Sequence, residues 1–594
     1  MDKLKMHTSD KTKDNIKKIA ELFPEVLTEA AKGFLPDGSP IVEPAINFDA
    51  LCAELSDALA GSGEERYEFT WPGKKRTIML ARAPTYKTIR PRREESVNFD
   101  DTENLFIEGD NLEALKLLQK AYSGKIKVIY IDPPYNTGNE FIYTDDFRIS
   151  LRDYISRCGQ GEYSGRMHSD WLNMMYPRLI VARDLLREDG VIFVSIDDTE
   201  MANTVKIMNE IFGERNKVAE LVVIRSEGGG IAKQVVRGHD YLLVYAKNIS
   251  KFTPLARPKE IRGKVIEKDG EKYWIQEDWL RKKFSKYGSC HYEEILEYKG
   301  EKVKKQIDEK LKKGEYVLVP KPNGMHIVGK LRNIKKDTSK FYSVLKHLSA
   351  TGIKDLAALG LDGCFDYPKP LSLLKEIILG ATYFTACEGD IVLDFFAGSA
   401  TTAHAVMQLN AEDGGNRKFI MVQLPEPCGE QSVAYKAGFK TVADIGKERI
   451  RRAGKKILEE RPELVGKLDV GFRVLFVDSS NVMDAYFTRS REETGGIIFI
   501  KEGRTHEDLL FWAMLELGVP PSGKISMLEL AGKKVYEVDN GKLFAFFDGQ
   551  LTAEVVKEIA CRQPDYAVFC DEGAFIKIEQ IFADHSPSTK VKLL

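Results

Sequence analysis

Apolar residues along this chain keep two different spacings, and the change from one to the other divides it. Near the start, Ile16, Ile19, Ala20 and Phe23 follow the i, i+3, i+4, i+7 interval of one helix face, and Pro24 ends the run. Strand-like and loop-like pieces follow around Tyr67–Leu80 and Pro91–Asp100. From residue 104 short apolar runs alternate with helical stretches. The pattern predicts a strand at Leu105-Phe106-Ile107, a helix over Asn111–Tyr122 carrying Leu112, Leu115 and Leu118, and a strand over Lys127–Ile131. A helix at Trp171–Leu186 and strands at Gly190–Ile196 and 239–247 come next. Such alternation is the signature of a parallel α/β sheet. It resumes with a helix over 370–379 opened by Pro370, a strand Ile391–Asp394, a helix from about Thr401, a strand Phe419–Leu424 and a basic amphipathic helix over 443–458. Residues 470–594 read as a separate piece, with a hairpin of Val535–Val538 and Leu543–Phe547 turned by Asn540-Gly541.

Composition adds limits. A chain of 594 residues forms several domains, because single cores stop growing beyond about 250–300 residues. No apolar stretch approaches the ~18 residues of a membrane span, and the start lacks a signal-peptide core, so a cytoplasmic protein with no membrane is expected. The eight cysteines contain no CxxC pair, which argues against a zinc site or a disulfide framework, and no metal is expected. The net charge of −2 hides an asymmetry: residues 251–350 hold 25 Lys+Arg against 14 Asp+Glu. This basic block is rich in aromatics (Tyr273, Trp274, Trp279, Phe284, Tyr287, Tyr292, Tyr298, Phe341, Tyr342) interleaved with lysines, among them Lys282, Lys283, Lys286, Lys304, Lys305, Lys312, Lys313, Lys335 and Lys336. Interleaving of that kind suits phosphates and bases, although some of these rings are expected to fill a small core.

The chemistry concentrates at Asp132-Pro133-Pro134-Tyr135, where a buried strand ends in an acid, two residues without N–H groups and an aromatic ring. An exocyclic amine of a nucleobase is a poor nucleophile because its lone pair is delocalised. Hydrogen bonds from both amino hydrogens, to the Asp132 carboxylate and the Pro133 carbonyl, draw that nitrogen towards a tetrahedral shape. Tyr135 can stack on a base taken out of the duplex. No cysteine lies nearby, which disfavours a thiolate mechanism. The later turn Asp394-Phe395-Phe396-Ala397-Gly398-Ser399 is of the kind that receives a nucleoside cofactor, with Gly398 allowing close approach ahead of a helix N-terminus. A third segment, Gly518–Ile525, matches a phosphate loop except at its last position, where Ile525 replaces the Ser/Thr. It reads as an ordinary loop.

The run Asn104–Leu115, the segment Ile129–Gly138, the stretch Phe365-Asp366-Tyr367-Pro368-Lys369-Pro370 and the Asp394–Ala400 turn together resemble the modification (Mod) subunit of Type III restriction–modification systems, β-group adenine-N6 DNA methyltransferases. The resemblance implies a Rossmann-like, mostly parallel methyltransferase sheet with an inserted target-recognition domain and a smaller C-terminal α/β domain. Its implied boundaries are 1–100 (support), 101–248 (catalytic half), 249–350 (target recognition), 351–468 (cofactor half) and 469–594 (subunit contacts). It makes Asp132, Pro133, Pro134 and Tyr135 catalytic. S-adenosylmethionine would lie against Asp394, Phe396, Gly398 and Ser399, with Phe365 and Lys369 at its methionine end, Gly109 and Asp110 on the adenosine side, and Gln423 near the ribose. The implied partners are double-stranded DNA, a second copy of the chain, and a helicase–nuclease (Res) subunit. The family turn usually has glycine where this chain has Ala400. An orphan adenine-N6 or cytosine-N4 methyltransferase without a nuclease partner is the alternative.

Overall fold

The computed structural model describes residues 2–4, 7–34, 40–55, 67–137, 164–228, 235–261, 263–283, 288–334, 336–483, 500–548, 551–570 and 577–594. Of the residues singled out in the sequence, Gly138, Phe284, Lys286, Tyr287 and Lys335 lie outside the described residues. Two compact units result, one of residues 254–342 with 379–383 and one of the remainder.

The larger unit is built on a ten-stranded sheet. Its strands, in chain order, are β1 (Thr88–Pro91), β2 (Leu105–Glu108), β3 (Ile126–Ile131), β4 (Leu186–Ile196), β5 (Lys217–Ile224), β6 (His239–Ala246), β7 (Val344–Lys346), β8 (Ile391–Asp394), β9 (Lys418–Gln423) and β10 (Arg473–Asp478). In space they run β7-β5-β6-β4-β3-β8-β9-β2-β10-β1. Only β6 and β1 run antiparallel to their neighbours. The parallel α/β sheet expected from the alternation, and the mostly parallel Rossmann-like sheet implied by the resemblance, are therefore present. All residues of β2 and β3 are buried, as both-faced coverage of a parallel sheet demands. Five helices matter for the site: α1 (Asn111–Tyr122), α2 (Ser164–Leu185), α3 (Met201–Met208), α4 (Thr401–Asp413) and α5 (Val442–Glu460).

Several local expectations change. The piece around Tyr67–Leu80 is not strand-like: Lys74–Arg82 is a helix, tied to α2 because the Asn173 side chain accepts from Trp71 Nε1 (2.8 Å) and Thr77 Oγ1 (2.9 Å). On α5, Lys447 and Arg449 are buried rather than solvated. The strand Arg473–Asp478 lies in the central sheet, and the helix His506–Leu517 packs into the same core. The remaining C-terminal strands form a six-stranded sheet that also takes Asp2–Lys3 alongside Lys590–Leu593. Within the Gly518–Ile525 loop the carbonyls of Pro521 and Gly523 accept from the buried Arg473 guanidinium, so this loop turns acceptors, not amides, inward. Among the described residues no helix is long and apolar enough to cross a membrane.

The smaller unit is a four-stranded antiparallel sheet of Val265–Lys268, Glu271–Gln276, His326–Asn333 and Tyr316–Pro320, covered by the helix Glu301–Lys312 around Leu280, Cys290, Ile295, Ile307 and Val328. It sorts the aromatics of the basic block. Trp274 is buried and donates to Asp337 (2.8 Å), and Trp279 donates to the Val328 carbonyl (2.7 Å), so both belong to the core. Tyr298 and Tyr342 are exposed.

Candidate active site

Strands β3 and β8 are separated by more than 250 residues in sequence yet are neighbours, pairing in parallel with Val128 opposite Val392 and Ile129 opposite Leu393. Parallel strands release their following turns at the same edge of the sheet, where open α/β sheets bind ligands. The Asp132–Tyr135 turn and the Asp394–Ser399 turn therefore emerge side by side.

The first turn is held from several directions. Tyr135 donates its hydroxyl to Asp132 Oδ1 (2.9 Å), and Trp171 Nε1 of α2 donates to the Pro134 carbonyl (2.7 Å). Lys369 Nζ lies 2.6 Å from Asp132 Oδ2 and 3.0 Å from the Tyr135 hydroxyl, with its charge 5.0 Å from the centre of that ring. The resemblance assigns Lys369 to the cofactor's methionine end, whereas in this structure it bonds the acid of the first turn. Burial and the nearby Asp132 charge push the Tyr135 phenol well above its ordinary range. Asp240 of β6 faces the same space: burial raises its pKa, against the lowering effect of Lys369 and Arg225. Both oxygens of Asp132 are thus occupied by proton donors, Tyr135 on one and Lys369 on the other.

The second turn is buried more deeply. Asp394 is 2% exposed; its carboxylate accepts from Thr402 Oγ1 (2.6 Å) and from the Phe396 amide (3.1 Å), and burial lifts its pKa to about 7. Gly398 has φ +52°, and a Cβ there would stand 3.3 Å from the ring of Phe365, so this ring closes against the glycine. Gly398 N donates to Gln423 Oε1 (2.6 Å), and the Gln423 carbonyl accepts from Gly109 N (3.0 Å). One residue therefore ties three expected cofactor positions together. Asp110 caps α1 by accepting from Glu113 N (3.0 Å) and pairs with Arg178 (3.1 Å), which leaves the shape of that turn fixed. Ala400 stands at φ +58° with no exposed surface, a left-handed conformation at the position where glycine is usual.

Sequence reasoning missed several contributors. Asn111 donates to the Phe395 carbonyl (2.8 Å) and accepts from the buried Arg178. Arg449 of α5 has no exposed surface and donates to Ser399 Oγ (2.9 Å) and Thr401 Oγ1 (2.5 Å). Burial lowers the pKa of this guanidinium to about 10 and, with Arg449 adding, that of His404 to about 3. The carboxylates of Glu95, Glu108 and Asp444 converge, but the Lys447 ammonium sits among them and supplies the positive charge. A composition of charged residues at helical spacing gives no hint of these pairings.

A family profile described as DNA methylase matches residues 126–433, over half of the chain. The chain belongs to the DNA methylase family. The chain is 35% identical to the Type III restriction-modification enzyme StyLTI Mod subunit of Salmonella typhimurium, the match covering 63% of this chain and 60% of that one. It is 32% identical to the EcoP15I Mod subunit of Escherichia coli, covering 66% and 70% respectively. Identity of 31% to the Type II methyltransferase M.KpnI of Klebsiella pneumoniae covers 59% of this chain and 88% of that enzyme. The chain thus spans 60% of the length of the StyLTI subunit.

Proposed function

We propose that this methylase transfers a methyl group from S-adenosylmethionine to adenine N6 in duplex DNA, acting on a flipped base. One observation carries the reading: the acid-proline-proline-tyrosine turn and the Asp394–Ser399 turn leave adjacent parallel strands at one sheet edge. Asp132 and the Pro133 carbonyl accept the two amino hydrogens, the lone pair of the nitrogen turns towards the donor, and Tyr135 stacks on the base. The donor supplies an electrophilic methyl group. Asp394, Phe396, Gly398, Ser399, Gln423, Gly109, Asp110, Phe365 and Lys369 form its pocket. The residues present suit it: Gly398 supplies the left-handed turn beside the Phe365 ring, and the buried Asp394 fixes that turn through the Phe396 amide and Thr402.

The names of the Mod relatives support a modification subunit of a Type III restriction–modification system. In this proposal it works in the cytoplasm as a homodimer with a Res helicase–nuclease partner. The basic unit of residues 254–342 reads the DNA target in this proposal, and the C-terminal region makes subunit contacts. The test uses purified protein, labelled S-adenosylmethionine and a diverse set of duplexes. Label is expected in adenine N6, and Asp132→Ala is expected to remove transfer while donor and DNA binding persist. Transfer retained by Asp132→Ala, or label confined to another base, overturns the assignment.

A further inference from the structure

The turn that follows β4 delivers one more side chain to the first turn. Glu200 has no exposed surface, and its Oε1 accepts from Asn136 Nδ2 at 2.6 Å and from His168 Nδ1 at 2.6 Å. Its Oε2 accepts from Asn203 Nδ2 at 2.8 Å. A buried carboxylate is tolerated only when its oxygens are this fully bonded, and bonds to a charged acceptor are among the strongest available to a side chain. Glu200 precedes α3 at the position where a side chain usually caps a helix, yet it makes no cap bond. Its bonds run to Asn136 instead.

Asn136 is the residue immediately after Tyr135. It is 5% exposed and sits at φ +60°, a left-handed conformation that Asn enters more readily than most L-residues and that its neighbours here hold. The Asp132–Asn136 turn is therefore gripped at two points: Trp171 holds the Pro134 carbonyl, and Glu200 holds the Asn136 carboxamide. Tyr135 lies between these points, with its hydroxyl on Asp132. Release of the second grip frees Asn136 to return to an ordinary conformation, which rotates the Tyr135 ring and withdraws its hydroxyl from Asp132. Methyl transfer needs the amine lone pair in line with the donor, and a misplacement of about 1 Å costs ~10²-fold in rate.

We infer that Glu200 is a positioning residue: through Asn136 it sets the direction of Tyr135 and hence the seat of the target base. This inference rests on the methyl-transfer function proposed for the same site. It is tested by steady-state methylation with Glu200→Met, Asn136→Ala and the double variant. Glu200→Met keeps the reach of the side chain and removes both acceptor oxygens. Each single variant is expected to lower kcat by about 10²-fold, with the donor KM within about twofold of wild type. Because the two residues act as one device, the double variant is expected to be no worse than either single one. A purely structural loss would move kcat, donor KM and melting temperature together. A kcat within about threefold of wild type in Glu200→Met, or losses that multiply in the double variant, overturns the inference. Should Glu200→Met not fold, Asn136→Ala reads the same grip from its other end, and an unchanged kcat there overturns it too. Absence of transfer in the wild-type protein would instead strike the methyl-transfer proposal itself.

Discussion

Asp394 offers a direct measure of what the Asp394–Ser399 turn costs the fold. Burial raises its pKa from 3.8 to about 7, against the two hydrogen bonds it accepts from Thr402 and Phe396. In the unfolded chain the group keeps its ordinary value, so between pH ~4 and ~7 the folded state binds the extra proton. Stability is then highest below the unfolded pKa and falls as pH rises through 7. At 1.36 kcal/mol for each unit, the full loss is roughly 4 kcal/mol, of which roughly 3 falls between pH 5 and pH 8. Asp394→Asn removes the titration with little change of shape. Its oxygen can still accept from the Phe396 amide, and its NH2 can donate to Thr402, whose hydroxyl exchanges donating for accepting. Urea unfolding of both proteins at pH 5, 6, 7 and 8 reads the difference, which cancels the other titrating groups. The variant is expected to gain on wild type by roughly 3 kcal/mol across that range, levelling above pH 7. Parallel curves would refute a buried, high-pKa Asp394.

Two more outcomes follow from the site and from the basic unit. Lys369→Met removes the cation that holds Asp240 down against its burial, so the acid limb of the methylation pH profile is expected to move to higher pH; an unchanged profile counts against a shared electrostatic site. In the smaller unit Lys282 is already paired with Glu294, whereas Lys283, Lys312 and Lys313 are exposed. Changing those three to Gln is expected to flatten the salt dependence of DNA binding by up to ~0.9 in slope for each phosphate no longer neutralised, with Lys282→Gln moving it little; equal slopes refute the unit as the DNA surface.

The strands that carry both turns were legible because buried parallel strands are short, unbroken apolar runs ended by punctuation. Asn111–Tyr122 matches its helix residue for residue because Asp110 caps it and its leucines keep one face. Lys217–Ile224 escaped notice: its first four residues are half-buried or exposed, and only its last four alternate between buried and half-buried. The helix at Lys74–Arg82 was hidden for a different reason. It carries only Thr77 and Ala81 as buried residues, and its support comes from Asn173, about a hundred residues away. For the site, the motif residues could be found, but their supports could not. Arg178, Glu200 and Arg449 read as ordinary charges on helices or turns, and only the order of strands brings them to buried partners.

That order also bears on how the chain can be made. Strands β2 and β3 are joined by a single helix, yet β8 and β9 lie between them, so they stand three strand spacings apart, or about 14 Å. During synthesis the early residues must keep open a slot two strands wide until residues 391–423 leave the ribosome. A fragment that stops short of them would present two unsatisfied edges facing each other, an invitation to aggregate or to capture the missing pair from another molecule.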